Sequence, residues 1–429
     1  VTLSKPNTLA DWLAYIERQH PRSIDMGLER VRSVATAMGL KRPAKRVITV
    51  GGTNGKGSAV AFIESIGRAA GWKIGAYTSP HLLAYNERVR IDGEDVDDAA
   101  LVAGFEAVEA ARGDVPLTYF EYGTLCALWV FERARLDLAV LEVGLGGRLD
   151  ATNLVDPDVA VITTVALDHQ DYLGDDREAI GAEKAGIARA WKPLVLGDDD
   201  PPSSVLARAY LVGASAIRAG CDYFFEPMDA DQWRWREVGF QVTLPRPQLA
   251  APVQLRNAAA AIAAVRALPR PPSRQALVAG IANARVAGRL QRFERDGVEI
   301  VVDVGHNPQA AAALADWLRL GRGGWTSPGT VHAVYAALAD KDAAGVIEAL
   351  AGEVDAWYLA GLAGHGPRGT TAEGLAARLV GTVAATAPSF EDVASALAAA
   401  RVAAKPGDRI LVFGSFHTVA DALAVLPAE

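Results

Sequence analysis

Arg46-Val47-Ile48-Thr49-Val50 runs into Gly51-Gly52-Thr53-Asn54-Gly55-Lys56-Gly57-Ser58, and a helical stretch from Ala59 to Ala70 follows. An apolar strand, a glycine turn and a helix in that order make a βα unit whose turn opens a helix N-terminus. Backbone N–H groups converge there on phosphate oxygens, Lys56 supplies a point charge, and the Ser58 hydroxyl can face a magnesium ion. Gly57 separates the lysine from the serine, so the stretch departs from the strict P-loop spacing. A tight βα turn without a ligand is the plainer alternative.

Beyond this loop, apolar runs at Leu138 to Val143, Val159 to Val165 and Leu194 to Leu196 alternate with helical patterns. That rhythm predicts a parallel α/β sheet. Between Glu226 and Pro252, Trp233, Trp235, Val238, Phe240, Val242 and Leu244 largely alternate with polar residues, which predicts a β hairpin or small antiparallel patch. Helices are expected over Asn257 to Ala267 and Ser273 to Asn283. A new strand, Val298 to Val304, carries Asp303-Val304-Gly305-His306-Asn307-Pro308, and the βα rhythm resumes through Val331 to Leu338, Ala356 to Ala360 and Ile410 to Phe413. A domain boundary is placed near Asp296, dividing the chain into 1–295 and 296–429.

With 429 residues, 50% hydrophobic and 22% charged, the composition is that of a packed globular chain, which excludes general disorder. The net charge of −8 disfavours phosphate backbones and anionic lipid, so neither nucleic acid nor membrane is an expected partner. Cys126 and Cys221 are too few for a disulfide framework and lack zinc-site spacing. Lys5, Asp11, Glu17 and Arg18 interrupt the N-terminal apolar residues, and no window reaches the roughly 20 apolar residues of a membrane span. A cytoplasmic location is expected.

Glu142 ends an apolar strand that runs into Gly144-Leu145-Gly146-Gly147-Arg148-Leu149-Asp150. A carboxylate there is costly to bury unless paired or metal-bound, so it is either a Mg²⁺ ligand or an ion-pair partner of Arg148. His169 follows Leu167-Asp168 at the end of the Val159 strand, which is expected to neighbour the Glu142 strand. Lys184, within Glu183-Lys184-Ala185-Gly186-Ile187, reads from its spacing as a surface helix lysine.

These segments occur in order with Thr78-Ser79-Pro80-His81-Leu82, Asn86-Glu87-Arg88-Val89 and Thr118-Tyr119-Phe120-Glu121-Tyr122-Gly123-Thr124. From Ile24-Asp25-Met26-Gly27-Leu28-Glu29-Arg30 to Gly414-Ser415-Phe416-His417, the chain closely resembles the bacterial folylpolyglutamate synthases of the Mur ligase superfamily. The resemblance is to their bifunctional form, which also has dihydrofolate synthase activity. Ala287 stands where many relatives have proline, and Gly305 where alanine is common.

The resemblance implies an α/β protein. A P-loop NTPase-like N-terminal domain holds ATP and the pterin or folate, and a Rossmann-like C-terminal domain closes over ATP and glutamate. It implies an ATP-dependent ligase that adds L-glutamate to dihydropteroate and to tetrahydrofolate polyglutamates through an acyl phosphate. A monofunctional folylpolyglutamate synthase is the alternative. A cell-wall Mur ligase would need a separate UDP-sugar domain ahead of the phosphate loop, and a nucleotide switch would not need Lys184 as a metal ligand.

By the same resemblance, Thr53, Asn54, Gly55, Lys56, Gly57 and Ser58 cradle ATP phosphates. Asn257, Arg289 and Asp303 are nucleotide contacts, with Arg289 at phosphate and Asp303 on the nucleoside side. Two Mg²⁺ ions are implied. One sits on Ser79 with Glu142, with Ser58 as the alternative hydroxyl; the second sits on Glu142, His169 and a CO₂-derived carbamate of Lys184. Ile24, Asp25, Met26, Thr118, Tyr119, Phe120, Glu121, Leu149, Asp150 and Ala151 hold the pterin end. His306 belongs to the same cleft, and Ser415 to the glutamate site. A monomer is expected.

Overall fold

The computed structural model describes residues 6–22, 24–320 and 329–426. Its first sheet comprises β1 (Ala44–Gly51), β2 (Ile74–Tyr77), β3 (Val89–Ile91), β4 (Glu94–Asp95), β5 (Leu136–Glu142), β6 (Val159–Ile162), β7 (Pro193–Leu196) and β8 (Ser215–Arg218). Their order is β4-β3-β2-β5-β1-β6-β7-β8. From β2 to β8 in that order the strands are parallel, and β3 and β4 add an antiparallel edge. β1 is buried from Val47 to Gly51, as a central strand with both faces covered must be.

The expectation that the Val159 strand neighbours the Glu142 strand is corrected here. β1 pairs with β5 on one side and β6 on the other, so it stands between them. In a doubly wound sheet the chain returns to either side of an early strand, and that reversal opens a ligand crevice at the carboxyl ends. β6 also stops at Ile162, short of the expected Val165, because Thr163 and Thr164 turn toward the phosphate loop.

The alternating aromatic stretch forms a three-stranded antiparallel patch of β9 (Tyr223–Pro227), β10 (Gln232–Glu237) and β11 (Phe240–Pro245). Trp233 and Trp235 point to one buried face, as period-two alternation requires. The Trp235 indole N–H donates to the Ala259 carbonyl at 3.1 Å, which anchors the patch to the helix Val253–Arg266. Ser273 caps the next helix, Arg274–Asn283, by accepting from the Ala276 N–H.

A second sheet contains β12 (Gln291–Arg295), β13 (Val298–Asp303), β14 (Val331–Tyr335), β15 (Ala356–Ala360), β16 (Ser389–Phe390) and β17 (Arg409–Phe413), in the order β12-β13-β17-β14-β15-β16. Only β12 is antiparallel. The chain divides into two compact units. One runs through Gln248 and includes Leu255–Ala284; the other joins Leu249–Gln254 to the chain from Arg285 onward. The division lies ahead of Asp296, since Asp296 and Gly297 form the turn of the β12–β13 hairpin, with φ of +53° and +76°. Among the described residues no helix is long and apolar enough to cross a membrane.

Candidate active site

Four neighbouring parallel strands, β2, β5, β1 and β6, deliver their carboxyl ends to one edge of the first sheet. Those ends carry Thr78-Ser79, Glu142, the phosphate loop and the segment Thr163 to His169. The loop uses two glycines with positive φ, Gly52 at +140° and Gly55 at +85°. A Cβ on Gly52 would collide with the Thr163 hydroxyl, and one on Gly55 with the Asn257 amide. Asn257, from a distant part of the sequence, thus lies directly against the loop. Gly55 is the N-cap of the helix Lys56–Ala69, whose first-turn N–H groups and positive end favour an anion.

Thr163 and Thr164 shape this loop, a role that sequence reasoning missed. The Thr53 N–H donates to the Thr164 carbonyl at 2.8 Å and the Asn54 N–H to the Thr164 hydroxyl at 3.1 Å. The Thr163 hydroxyl donates to the Asn54 carbonyl at 2.5 Å, and the Ala166 N–H to the Thr53 hydroxyl at 3.0 Å. Two adjacent threonines ending a buried strand were the available signal, since buried hydroxyls require partners. The Lys56 ammonium donates to the carbonyls of Gly52 and Thr53 at 3.0 and 3.1 Å, inside the same turn.

Glu142 is buried and accepts from the Ser79 N–H at 3.3 Å. Its carboxylate oxygens lie 3.7 and 3.9 Å from the point where a Cβ on Gly57 would project. Glu142, Ser79 and the first helical turn at Gly57 are therefore one cluster. Arg148, the alternative partner for Glu142, pairs with Glu183 at 2.8 Å. On the far side of β1, His169 adopts a left-handed backbone at φ +52°, and its N–H donates to the Asp168 carboxylate at 2.9 Å.

Lys184 is not on the surface, which corrects the reading from its spacing. It ends the helix Arg177–Lys184 on the same face as Ile180, and both are buried. The Gly144–Asp150 loop covers it, because Gly147 has no side chain; a Cβ there would stand 2.8 Å from the Lys184 carbonyl. Burial, helped by the neighbouring Lys56 charge and opposed by Asp168 and Asp150, lowers the Lys184 pKa to about 7.

The residues expected at the pterin end gather beside this edge. Thr118 caps the helix Tyr119–Ala134, and Glu121 completes the capping box by accepting from the Thr118 N–H at 2.8 Å. Phe120 lies over Gly144, with ring atoms 2.7 Å from the position of a Cβ there, and its ring centroid is 5.9 Å from that of Tyr77. Tyr119 stands edge-on to Tyr85. Met26 and Leu173 approach Gly146. Asp150 is buried, which raises its pKa; its oxygens accept from Leu145 N–H, Thr152 N–H and the Thr152 hydroxyl at 2.9, 2.9 and 2.6 Å. Asp150 and Glu121 thus brace two walls, and beside Asp150 the flanking Leu149 is half-buried and Ala151 buried.

The second unit carries the remaining residues. Asp303 is buried at the end of β13 and accepts from the Leu290 and Gly305 N–H groups at 3.0 and 2.7 Å. Burial raises its pKa, and the Arg289 charge opposes the shift. The Arg289 guanidinium lies 5.7 Å from the Phe416 ring centroid. His306 Nδ1 is 2.9 Å from the Val304 carbonyl. The Ser415 hydroxyl caps the helix Phe416–Val425, accepting from the Thr418 N–H at 3.0 Å.

Among the described residues no group of three or more His, Cys, Asp or Glu side chains is placed to hold a metal ion. The expected ion sites draw only Glu142 and His169 from those types; serine and a modified lysine complete them.

The Mur ligase middle domain family matches residues 50–265, and the Mur ligase glutamate ligase domain family matches residues 288–416. Dihydrofolate synthase/folylpolyglutamate synthase of Escherichia coli strain K12 is 47% identical, over 98% of this chain and 96% of that one. A solved structure of E. coli FolC in complex with DHPP and ADP superposes with a TM-score of 0.91 at 47% identity, covering 98% of this chain and 97% of that one. A bifunctional folylpolyglutamate synthase/dihydrofolate synthase with Mn, AMPPNP and L-glutamate bound gives 0.88 at 45% identity, with 97% and 98% covered. With the phosphate loop, the buried lysine and the order of strand ends on one edge, these similarities show that the chain belongs to the dihydrofolate synthase/folylpolyglutamate synthase family of Mur ligases.

Proposed function

We propose that this chain is an ATP-dependent carboxylate–amine ligase that adds L-glutamate to dihydropteroate, giving dihydrofolate, and to tetrahydrofolate polyglutamates. Lys184 carries the reading, as a buried amine held near neutrality beside the lysine of a phosphate loop. In the reaction the acceptor carboxylate attacks the γ-phosphorus of ATP and ADP leaves. The glutamate amine then attacks the acyl phosphate carbon and loses a proton, and inorganic phosphate departs.

Thr53 to Ser58 cradle the phosphates through backbone N–H groups, and Lys56 neutralises charge on the transferred group. Asn257 contacts the nucleotide from the first unit. Arg289 and Asp303, in the second unit, are assigned to phosphate and nucleoside respectively. His306 acts with them, and Ser415 orders the glutamate end. Ile24, Asp25, Met26, Thr118 to Glu121 and Leu149 to Ala151 form the pterin end, where Tyr119 and Phe120 offer flat faces to the ring.

The donor set fits two divalent cations. Ser79 or Ser58 with Glu142 would hold one, and Glu142, His169 and carbamylated Lys184 the other. A neutral amine is the form that adds CO₂, and the resulting anion turns repulsion from Lys56 into attraction. Bound Mg²⁺ supplies charge neutralisation for the polyphosphate and for phosphoryl transfer.

ATP turnover coupled to product mass, with dihydropteroate and tetrahydrofolate as separate acceptors and L-glutamate present, tests the reading. Glutamylated product from both acceptors is expected. Product from the folate alone would favour the monofunctional reading, and turnover indifferent to either acceptor would sink the ligase assignment. Carbon-13 NMR after equilibration with labelled bicarbonate should give a carbamate signal that Lys184→Ala removes. The accompanying reading is a cytoplasmic monomer, and sedimentation equilibrium checks the monomer.

A further inference from the structure

We infer that Arg30 is a positioning residue for the pteroate or folate acceptor, fixing the Ile24–Met26 segment to the start of the helix Tyr119–Ala134; this rests on the ligase reading above. Arg30 occupies the first turn of the helix Glu29–Ala37, where the positive helix end disfavours a cation. Its placement therefore answers to other groups.

The Arg30 Nε lies 2.9 Å from both carboxylate oxygens of Glu121. Its two terminal nitrogens donate to the Asp25 carboxylate and the Asp25 carbonyl. Glu121 is 4% exposed in its side chain and needs a charged partner once buried. His20 and Arg22 also face Asp25, at 3.4 and 3.6 Å.

Residues 24–27 belong to no helix or strand, so no backbone ladder fixes them. Arg30 supplies the missing constraint by holding both a side chain and a main-chain carbonyl of that segment. Glu121, at the other end, is locked by the capping box with Thr118. The link runs from the cap of one wall through Arg30 to Asp25, and the next residue, Met26, approaches Gly146 of the opposite wall. With its carboxylate engaged by Arg30, Asp25 acts on the acceptor through the shape of this segment.

Only a planar fork reaches both carboxylates at once, so Arg30→Lys keeps the charge and loses the bridge. With dihydropteroate varied at saturating ATP and L-glutamate, Arg30→Lys should raise the acceptor KM about tenfold, the scale of one charge-assisted hydrogen bond. Both kcat and the ATP KM should stay within about twofold of wild type, since the phosphate loop is untouched. Asp25→Asn should raise the acceptor KM likewise, and the double variant should be no worse than the weaker single variant.

An unchanged acceptor KM in folded Arg30→Lys overturns the inference. So does a fall confined to kcat, or single effects that multiply in the double variant. If Arg30→Lys fails to fold, Asp25→Asn decides alone, because it leaves the Arg30–Glu121 pair in place; a wild-type acceptor KM there overturns the proposal. Wild-type protein without acceptor-dependent turnover faults the ligase reading separately, and the same comparison is then made on dihydropteroate Kd.

Discussion

Lys184 gives up its proton near pH 7 in the folded chain, whereas a solvated lysine keeps it to about 10.4. Between those values the unfolded chain binds the extra proton. Stability from this group therefore rises with pH through the window and levels above it. In bicarbonate-free buffer, Lys184→Met keeps the stem and deletes the titration, so urea midpoints from about pH 7.5 to 9 should rise less steeply than in wild type. Equal slopes would refute the buried amine. Lys184→Ala should also lower kcat by at least about 100-fold with the far-UV spectrum intact, and near-normal turnover would remove Lys184 from the metal set. Helical spacing could not reveal this residue, because a loop some forty positions earlier buries it, and only the absence of a side chain at Gly147 lets that loop approach. Glu142 was legible for the opposite reason: a carboxylate closing an apolar strand is anomalous in the sequence itself.

The phosphate loop depends on its neighbour. Thr163→Val deletes the hydroxyl that donates to the Asn54 carbonyl while keeping the side-chain volume. The ATP KM should rise about tenfold with dihydropteroate affinity unchanged, the cost of one buried hydrogen bond in a positioning role. Equal ATP kinetics would reduce the threonine to packing. In the antiparallel patch, Trp235 is fully buried and bonded to the helix behind it. Trp235→Ala should cost about 3–5 kcal/mol in urea unfolding, and a loss below about 1 kcal/mol would show the patch to be an ornament on the sheet. This patch was readable from alternation alone, as was β1 from its apolar run and the glycines after it. Very short strands such as β3 and β4 were not, being too brief for any period to register. Nor was the insertion of β1 between β5 and β6, because crossover direction is a property of how helices cover a sheet and leaves no residue pattern.

Two compact units imply separable binding steps. Asp303 belongs to the second unit and the residues proposed for the pterin end to the first, so, with Asp303 in its proposed nucleotide role, Asp303→Ala should raise the ATP KM about tenfold or more and leave dihydropteroate Kd unchanged. Parallel loss of both affinities would contradict the proposed division of labour. The βα rhythm on both sides of residue 290 made two α/β units legible. Their border was less so, since a hairpin turn at Asp296 resembles a linker in composition, and pairing alone assigns β12 to the second sheet. The short segment Leu249–Gln254 reaches further still. Its Ala251 is buried in the apolar core of the second unit, although the chain on both sides of the segment belongs to the first. No single cut in the backbone can therefore yield two complete halves. A fragment ending at Ala284 would carry an orphaned piece of its neighbour, open to protease at those six residues.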